Sequence, residues 1–179
     1  AYGSGPEGWA GDGYFGPLAR PLPMSLRPSR SWGEFWAEQR VLPLVALARD
    51  QGYLAAADVA MAERIAARLV GDQFSAPDGM PARLHGDLWS GNLMWTAAGV
   101  VAIDPAAHGG HPETDLAMLA LFGAPYLDEI TAGYQAVGTL APGWRDRVGV
   151  HQLHPVLAHV VLFGSGYVPM ARDLLRRYC

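Results

Sequence analysis

Two short apolar runs flank a polar loop near the middle of the chain, Arg83-Leu84-His85-Gly86-Asp87-Leu88-Trp89-Ser90-Gly91-Asn92-Leu93-Met94-Trp95. A third run, Val100-Val101-Ala102-Ile103, ends in Asp104-Pro105, its carboxylate twelve residues after Asn92. The pattern predicts strands over 82–84, 93–95 and 100–103, with Thr96-Ala97-Ala98-Gly99 turning between the last two. Such a β-ribbon brings Asp87, Asn92 and Asp104 to one end. Asn92 and Asp104 are oxygen donors of the kind a hard divalent cation prefers, and Asp87 is a carboxylate free to take a proton from a hydroxyl. Together they suit magnesium-dependent phosphoryl transfer, where positioning and charge stabilisation do most of the work.

The flanks predict helices. Ser31 and Glu34 have the spacing of a capping box, and helix follows to about Gln51, with Pro43 expected to kink it or start a second helix. Residues 56–70 alternate Val59, Ala62, Ile65, Ala66 and Leu69 against Glu63, Arg64 and Arg68, an amphipathic helix closed by Gly71. Residues 72–81 read as loop, as do 105–112. A helix over 115–122 is apolar nearly all round and is expected to be the buried central one. Further helices are expected from Pro125 to about Val137, over 144–163 with a kink or break at Pro155, and over 170–178. Residues 1–30, rich in glycine and proline, read as an extended loop pinned by Trp9, Tyr14 and Phe15. The fold class is therefore α+β, mainly helical, with a small β-ribbon; residues 1–30 form a junction segment and 31–179 a helical lobe.

Composition excludes several classes. With half its 179 residues apolar and 17% charged, the chain is a folded domain. A net charge of -4 argues against nucleic acid as the main partner. The single cysteine, Cys179, permits neither an internal disulfide nor a cysteine metal site. The longest apolar run, residues 156–163, is too short to span a membrane, and a cytoplasmic location is expected. There is no lysine, so none is available to pair the α/β-phosphates of ATP. The glycine-rich start without methionine reads as a piece beginning within a longer protein.

Other candidates have ordinary roles. His85 is expected to hold the loop through its ring, and Asp115 to cap its helix or brace the loop by accepting N–H groups. His108 and His111 could suggest zinc, but a third ligand from His151, His154 or His159 would have to come from a separate helix. Trp89, two positions after Asp87, suits contact with a sugar ring. Trp32 and Trp36 are candidates for substrate contact, with packing of the first helix as the default.

His85-Gly86-Asp87-Leu88-Trp89-Ser90-Gly91-Asn92 followed by Ile103-Asp104-Pro105 resembles the fructosamine kinase / ketosamine-3-kinase family, grouped with the aminoglycoside and choline phosphotransferases in the protein-kinase-like fold. The tryptophan after Asp-Leu tilts the match toward fructosamine kinases, and Trp32-x-x-Phe35-Trp36 and Leu162-Phe163-Gly164-Ser165-Gly166-Tyr167 are similar to family segments. The resemblance covers the family's C-terminal lobe. It implies Asp87 as catalytic base, Asn92 and Asp104 as Mg²⁺ ligands and Trp89 near the sugar. It also implies ATP as donor, and as acceptor the 3-hydroxyl of a small-molecule or protein-bound ketosamine. The ATP-binding N-terminal lobe would lie outside this chain, which alone is expected to be inactive. Two segments depart from the family pattern, Leu18-Ala19-Arg20-Pro21-Leu22-Pro23 and Ala107-His108-Gly109-Gly110-His111. A kinase for an aminoglycoside or other alcohol, and a catalytically incomplete kinase-like fragment, remain the alternatives.

Overall fold

A computed structural model of the chain describes residues 1–7, 9, 11–74, 80–138 and 140–179. Gly8 of the glycine-rich opening and residues 75–79 of the expected loop lie outside the described residues. The architecture is α+β, about half helical, with three two-stranded antiparallel ribbons.

The opening segment is not the plain loop expected. It forms a hairpin, β1 (Gly13–Phe15) on β2 (Leu22–Met24), with Gly13 opposite Met24. Its anchors differ in part. Phe15 packs against the core as expected, joined by the buried Tyr2, Leu22, Met24 and Leu26, whereas Trp9 and Tyr14 are exposed.

Helix α1 (Trp32–Trp36) starts where Ser31 Oγ accepts the Glu34 N–H (3.1 Å), and the Glu34 carboxylate in turn accepts the Arg30 N–H (3.1 Å). It passes through a π-helical turn, Ala37–Val41, into α2 (Leu42–Asp50). The π turn resolves the problem posed by Pro43. Proline has no N–H for the Gln39 carbonyl four residues back, and its ring would crowd that carbonyl. The widened turn relieves the crowding, and the Arg40 guanidinium donates to Gln39 O instead (3.0 Å). Arg40 is itself buried, donates to Ser25 O (3.0 Å) and lies over the Phe35 ring, so it ties the segment after β2 to this helix.

Helix α3 (Ala56–Val70) packs on α1 and α2. Asp58 accepts the Ala55 N–H (2.9 Å) at its start and is gripped by Arg172. The core lies between α1–α3, the long helix α6 (Trp144–Phe163) and α7 (Val168–Tyr178), and includes Trp32, Phe35, Trp36, Ile65, Leu153 and Leu157. α6 continues through Pro155 as one helix, so of the kink or break expected there the break does not occur. Two shorter helices complete the set, α4 (Thr114–Phe122) and α5 (Leu127–Val137), the latter starting two residues after Pro125 because Tyr126 takes a left-handed conformation. α4 is buried only at Leu116–Leu119; Ala120 and Phe122 are exposed.

The middle of the chain makes two ribbons rather than one. β4 (Leu93–Thr96) and β5 (Gly99–Ala102) form the predicted hairpin, Leu93 opposite Ala102. β3 (Ala82–Leu84) pairs instead with β6 (His108–Gly110), inside the stretch expected to be loop. The loop between β3 and β4 is thus held at both ends, one on each ribbon. No helix of the described residues is long and apolar enough to cross a membrane.

Helices α1 and α3 approach most closely at Gly33, where an added Cβ would collide with the backbone carbonyl of Leu69. Gly33→Ala should therefore cost about 1–3 kcal/mol by overpacking, read as a lower midpoint in urea unfolding.

Candidate active site

The loop between β3 and β4 begins with a change of direction that only glycine makes easily. Gly86 has φ +84°, and a side chain there would strike the Ala106 carbonyl. Asp115, in the first turn of α4, then fixes the loop. Its carboxylate accepts the His85 N–H (2.8 Å) and the Gly86 N–H (3.0 Å). His85 adds a contact between its Nε2 and the Ile103 carbonyl (2.9 Å), tying the loop to the end of β5.

Asp87 follows. Asn92, in a 3₁₀ turn at Ser90–Asn92, donates from Nδ2 to the Asp87 carbonyl (2.8 Å) and to Asp87 Oδ2 (3.2 Å). Those bonds commit the amide nitrogen and leave Asn92 Oδ1 as an acceptor. The Ile103 N–H donates to the Asn92 carbonyl (3.0 Å), which sets Asp104 beside Asn92. Asp104 sits at φ +53°, a left-handed conformation that Asp tolerates better than most residues. Asp87, Asn92 and Asp104 all line one open cleft of about 800 Å³, as does Asp115. Burial pushes the Asp87 carboxyl above the usual Asp range, although the Asn92 hydrogen bond and the nearby His85 and His159 pull the other way. Burial likewise raises Asp115, against its two backbone N–H bonds.

The tryptophans divide. Trp89 is 40% exposed, lines the cleft and lies over Gly91, where any side chain would collide with its ring. Trp36 is at the cleft floor, nearly fully buried, with Nε1 donating to the Val150 carbonyl (2.9 Å). Trp32 is not brought to the cleft. It is 2% exposed, stacked between Trp36 and the rings of His111 and His151. A tryptophan buries 150–250 Å², worth roughly 4–6 kcal/mol as an upper figure at about 25 cal/mol per Å², and Trp32 serves the core.

The structure also gathers His111, Glu113 and His151, buried, with ligand-type atoms all within 4.8 Å of one another. The hydrogen bonding is that of a brace rather than a metal centre. Arg147 occupies the Glu113 carboxylate through Nε (3.1 Å) and Nη2. His111 Nδ1 accepts the Glu113 N–H (3.2 Å), which places its own proton on Nε2, the nitrogen a metal would need free. His151 Nε2 lies 3.4 Å from Glu113, and its Nδ1 pairs with Thr114 Oγ1 (3.0 Å). Burial raises the Glu113 carboxyl, but the His151 and Arg147 side chains outweigh it and hold it at about 2.

The opposite wall of the cleft is hidden from motif reasoning. α6 contributes His151, His154, Ala158, His159 and Leu162, a stripe at three- and four-residue spacing on the face away from Leu153, Leu157 and Val160. Three histidines along one helix face were the available signal. Phe122 ends α4, Phe163 ends α6 and Tyr167 closes the 3₁₀ turn Ser165–Tyr167; no spacing in the sequence links them.

The chain matches the fructosamine kinase family over residues 5–179. A Synechocystis protein assigned as a ketoamine kinase is 35% identical over 99% of this chain and 57% of its own length. One from Lactiplantibacillus plantarum, also assigned as a ketoamine kinase, is 37% identical over 89% and 57%. A crystal structure from Thermobifida fusca, assigned as a fructosamine-3-kinase, superposes with a TM-score of 0.88 at 50% identity, covering 98% of this chain and 58% of that one. Another from Haemophilus somnus shares the fold alone, with a TM-score of 0.78 at 23% identity. The chain spans somewhat more than half the length of these relatives.

Acid should destabilise the protein progressively below pH 6.5. Burial lowers His108 from 6.5 to about 4 and His111 from 6.5 to about 3, so both fold as neutral rings. The unfolded chain binds protons first, and their contribution, complete above pH 6.5, is lost as pH falls toward 4 and 3. Glu113, depressed from 4.5 to about 2, adds a further loss below pH 4.5. Tm measured against pH should fall from 6.5 downward. Glu113→Gln should flatten the part below 4.5 and lower Tm throughout, since Arg147 loses its counter-charge.

Proposed function

The chain belongs to the fructosamine kinase family, and from that premise we propose that it carries the base and the metal-ligating residues of an ATP-dependent kinase of ketosamines. The acceptor would be the 3-hydroxyl of a fructosamine or ribulosamine adduct of a small amine or a protein lysine. The chain would then be the helical lobe of a protein-kinase-like fold, working in the cytoplasm, where ATP is supplied. The observation that supports this reading best is the meeting of Asp87, Asn92 and Asp104 on one cleft.

Asp87 is placed to orient the acceptor hydroxyl and take its proton as the phosphoryl group arrives. Its raised proton affinity makes it a stronger base than a solvated carboxylate. Asn92, bonded to one oxygen of Asp87, leaves the other for the hydroxyl. Trp89 offers a flat apolar face to a sugar ring beside it. Asn92 Oδ1 and the Asp104 carboxylate fit a hard divalent cation, two oxygen donors and no nitrogen or sulfur. When bound there, Mg²⁺ would neutralise charge on the donor's phosphates. Neither Asp128 nor Glu129 lines the cleft, whose carboxylates are Asp87, Asp104 and Asp115 among the described residues. That is too sparse an array for a polycationic aminoglycoside, and it favours a sugar with a single amine.

In the full protein that bears this chain, ATP consumption with a fructose–lysine adduct should be measurable. Asp87→Asn should lower kcat by about 10²–10⁴ while the KM for ATP stays within about twofold. The acid limb of the rate–pH profile should lie above the ordinary Asp value of about 3.9, and Asn92→Ser should move it further up by removing a bond that favours the carboxylate. Turnover unaffected by Asp87→Asn would refute the assignment of the base.

A further inference from the structure

The cleft lining is of two chemical kinds. It includes the carboxylates of Asp87, Asp104 and Asp115. It also includes three aromatic rings gathered round His159, whose ring centroid is 5.0 Å from Phe122, 5.2 Å from Phe163 and 4.8 Å from Tyr167. All four side chains line the cleft. Phe163 is 55% exposed and Phe122 39% exposed, so these two rings are not there to fill the core, while Tyr167 is partly buried and packs against it. The position of His159 is set by its Nδ1, 2.7 Å from the Pro155 carbonyl. The cluster shares its cleft with Asp87. It extends outward along α4, in which Asp115 and Phe122 are seven residues, roughly 10 Å, apart.

Charge is as informative as shape. Among the described residues no arginine lines the cleft, and the chain has no lysine. Arg20, two residues after the lining residue Leu18, turns its Nη1 to the Leu162 carbonyl (3.3 Å). Burial keeps His151 and His154 in their neutral forms. A carboxylate or phosphate on the acceptor would therefore meet three carboxylates in the cleft and, among its described lining residues, neither arginine nor lysine, His159 being the basic side chain at this wall. An ammonium or an apolar ring meets the opposite situation, an exposed aromatic wall that favours both.

We propose that Phe122, Phe163 and Tyr167, gathered round His159, form a subsite for the amine-borne group of the acceptor. It takes aromatic or aliphatic groups, neutral or cationic, and rejects those carrying an anion close to the nitrogen. The proposal rests on the ketosamine reading and adds to it which ketosamines are used. An N-substituent reached through several apolar atoms, as on a lysine side chain within a protein, fits; one with a carboxylate next to the nitrogen does not.

Calorimetric titration of this chain with two fructose adducts, of benzylamine and of glycine, tests it without requiring turnover. The benzylamine adduct should bind at least tenfold tighter. The Phe163→Ala/Tyr167→Ala variant, altered at the cleft rim, should bring the two within about threefold by weakening the benzylamine adduct alone, and Tyr167→Phe should keep the preference. Equal binding by the native chain, no binding of either adduct, or an equal loss of both in the double variant would overturn the subsite. Selective binding without any ATP-dependent phosphorylation in the full protein would instead contradict the kinase reading and leave the subsite standing.

Discussion

The backbone N–H groups of His85 and Gly86 end on one carboxylate, that of Asp115, and the rest of the site follows from that pair of bonds. The loop that carries Asp87 leaves its apolar side chains, Leu88 and Trp89, only partly buried, so packing alone does not order it. Hydrogen bonds to a charged group contribute about 1.5–3 kcal/mol each, enough for two of them to hold a sharp turn that Gly86 has already made accessible. Once that turn is fixed, Asn92 reaches back to Asp87, and the β4–β5 hairpin returns Asp104 to the same place. The price is a buried carboxylate, which the loop's own N–H groups satisfy.

Asp115 can act as a brace only if α4 does not move. Glu113 and Thr114, the two residues before it, are tied to α6 through Arg147 and His151. Three consecutive residues thus link the loop that carries Asp87 on one side to the helix that forms the far wall of the cleft on the other. The separation of Asp87 from that wall is set by this junction. A buried ion pair is a poor source of net stability but an exacting spacer, because removing either partner strands a charge. The cluster's histidines, neutral through burial, are consistent with that role.

The meeting of Asp87, Asn92 and Asp104 on one cleft is legible in the sequence because their placement is local: a loop between two apolar runs, and a hairpin whose register follows from a four-residue turn. The helices over 31–50, 56–70 and 144–163 are legible for a similar reason, their periodicity. β6 is not. His108-Gly109-Gly110 has no strand propensity, and it becomes a strand only because β3 lies against it. Trp32 and Trp89 are the same residue type in aromatic surroundings, and what separates them is whether α3 and α6 pack over the ring. Pro155 and Pro43 read alike as breakers, yet one helix continues past its proline and the other widens to a π turn. The aromatic part of the cleft is drawn from α4, α6 and the turn after it, so it exists only in three dimensions.

The central claim is that Asn92 and Asp104 share one divalent ion within reach of Asp87, and Mn²⁺ binding followed by electron paramagnetic resonance, with ATP present, addresses it directly. Asn92→Ala and Asp104→Ala should each weaken Mn²⁺ binding at least tenfold, and the double variant should lose far less than the product of the two, as ligands of a common ion do. Losses that simply multiply, or Mn²⁺ binding untouched by either substitution, would contradict it.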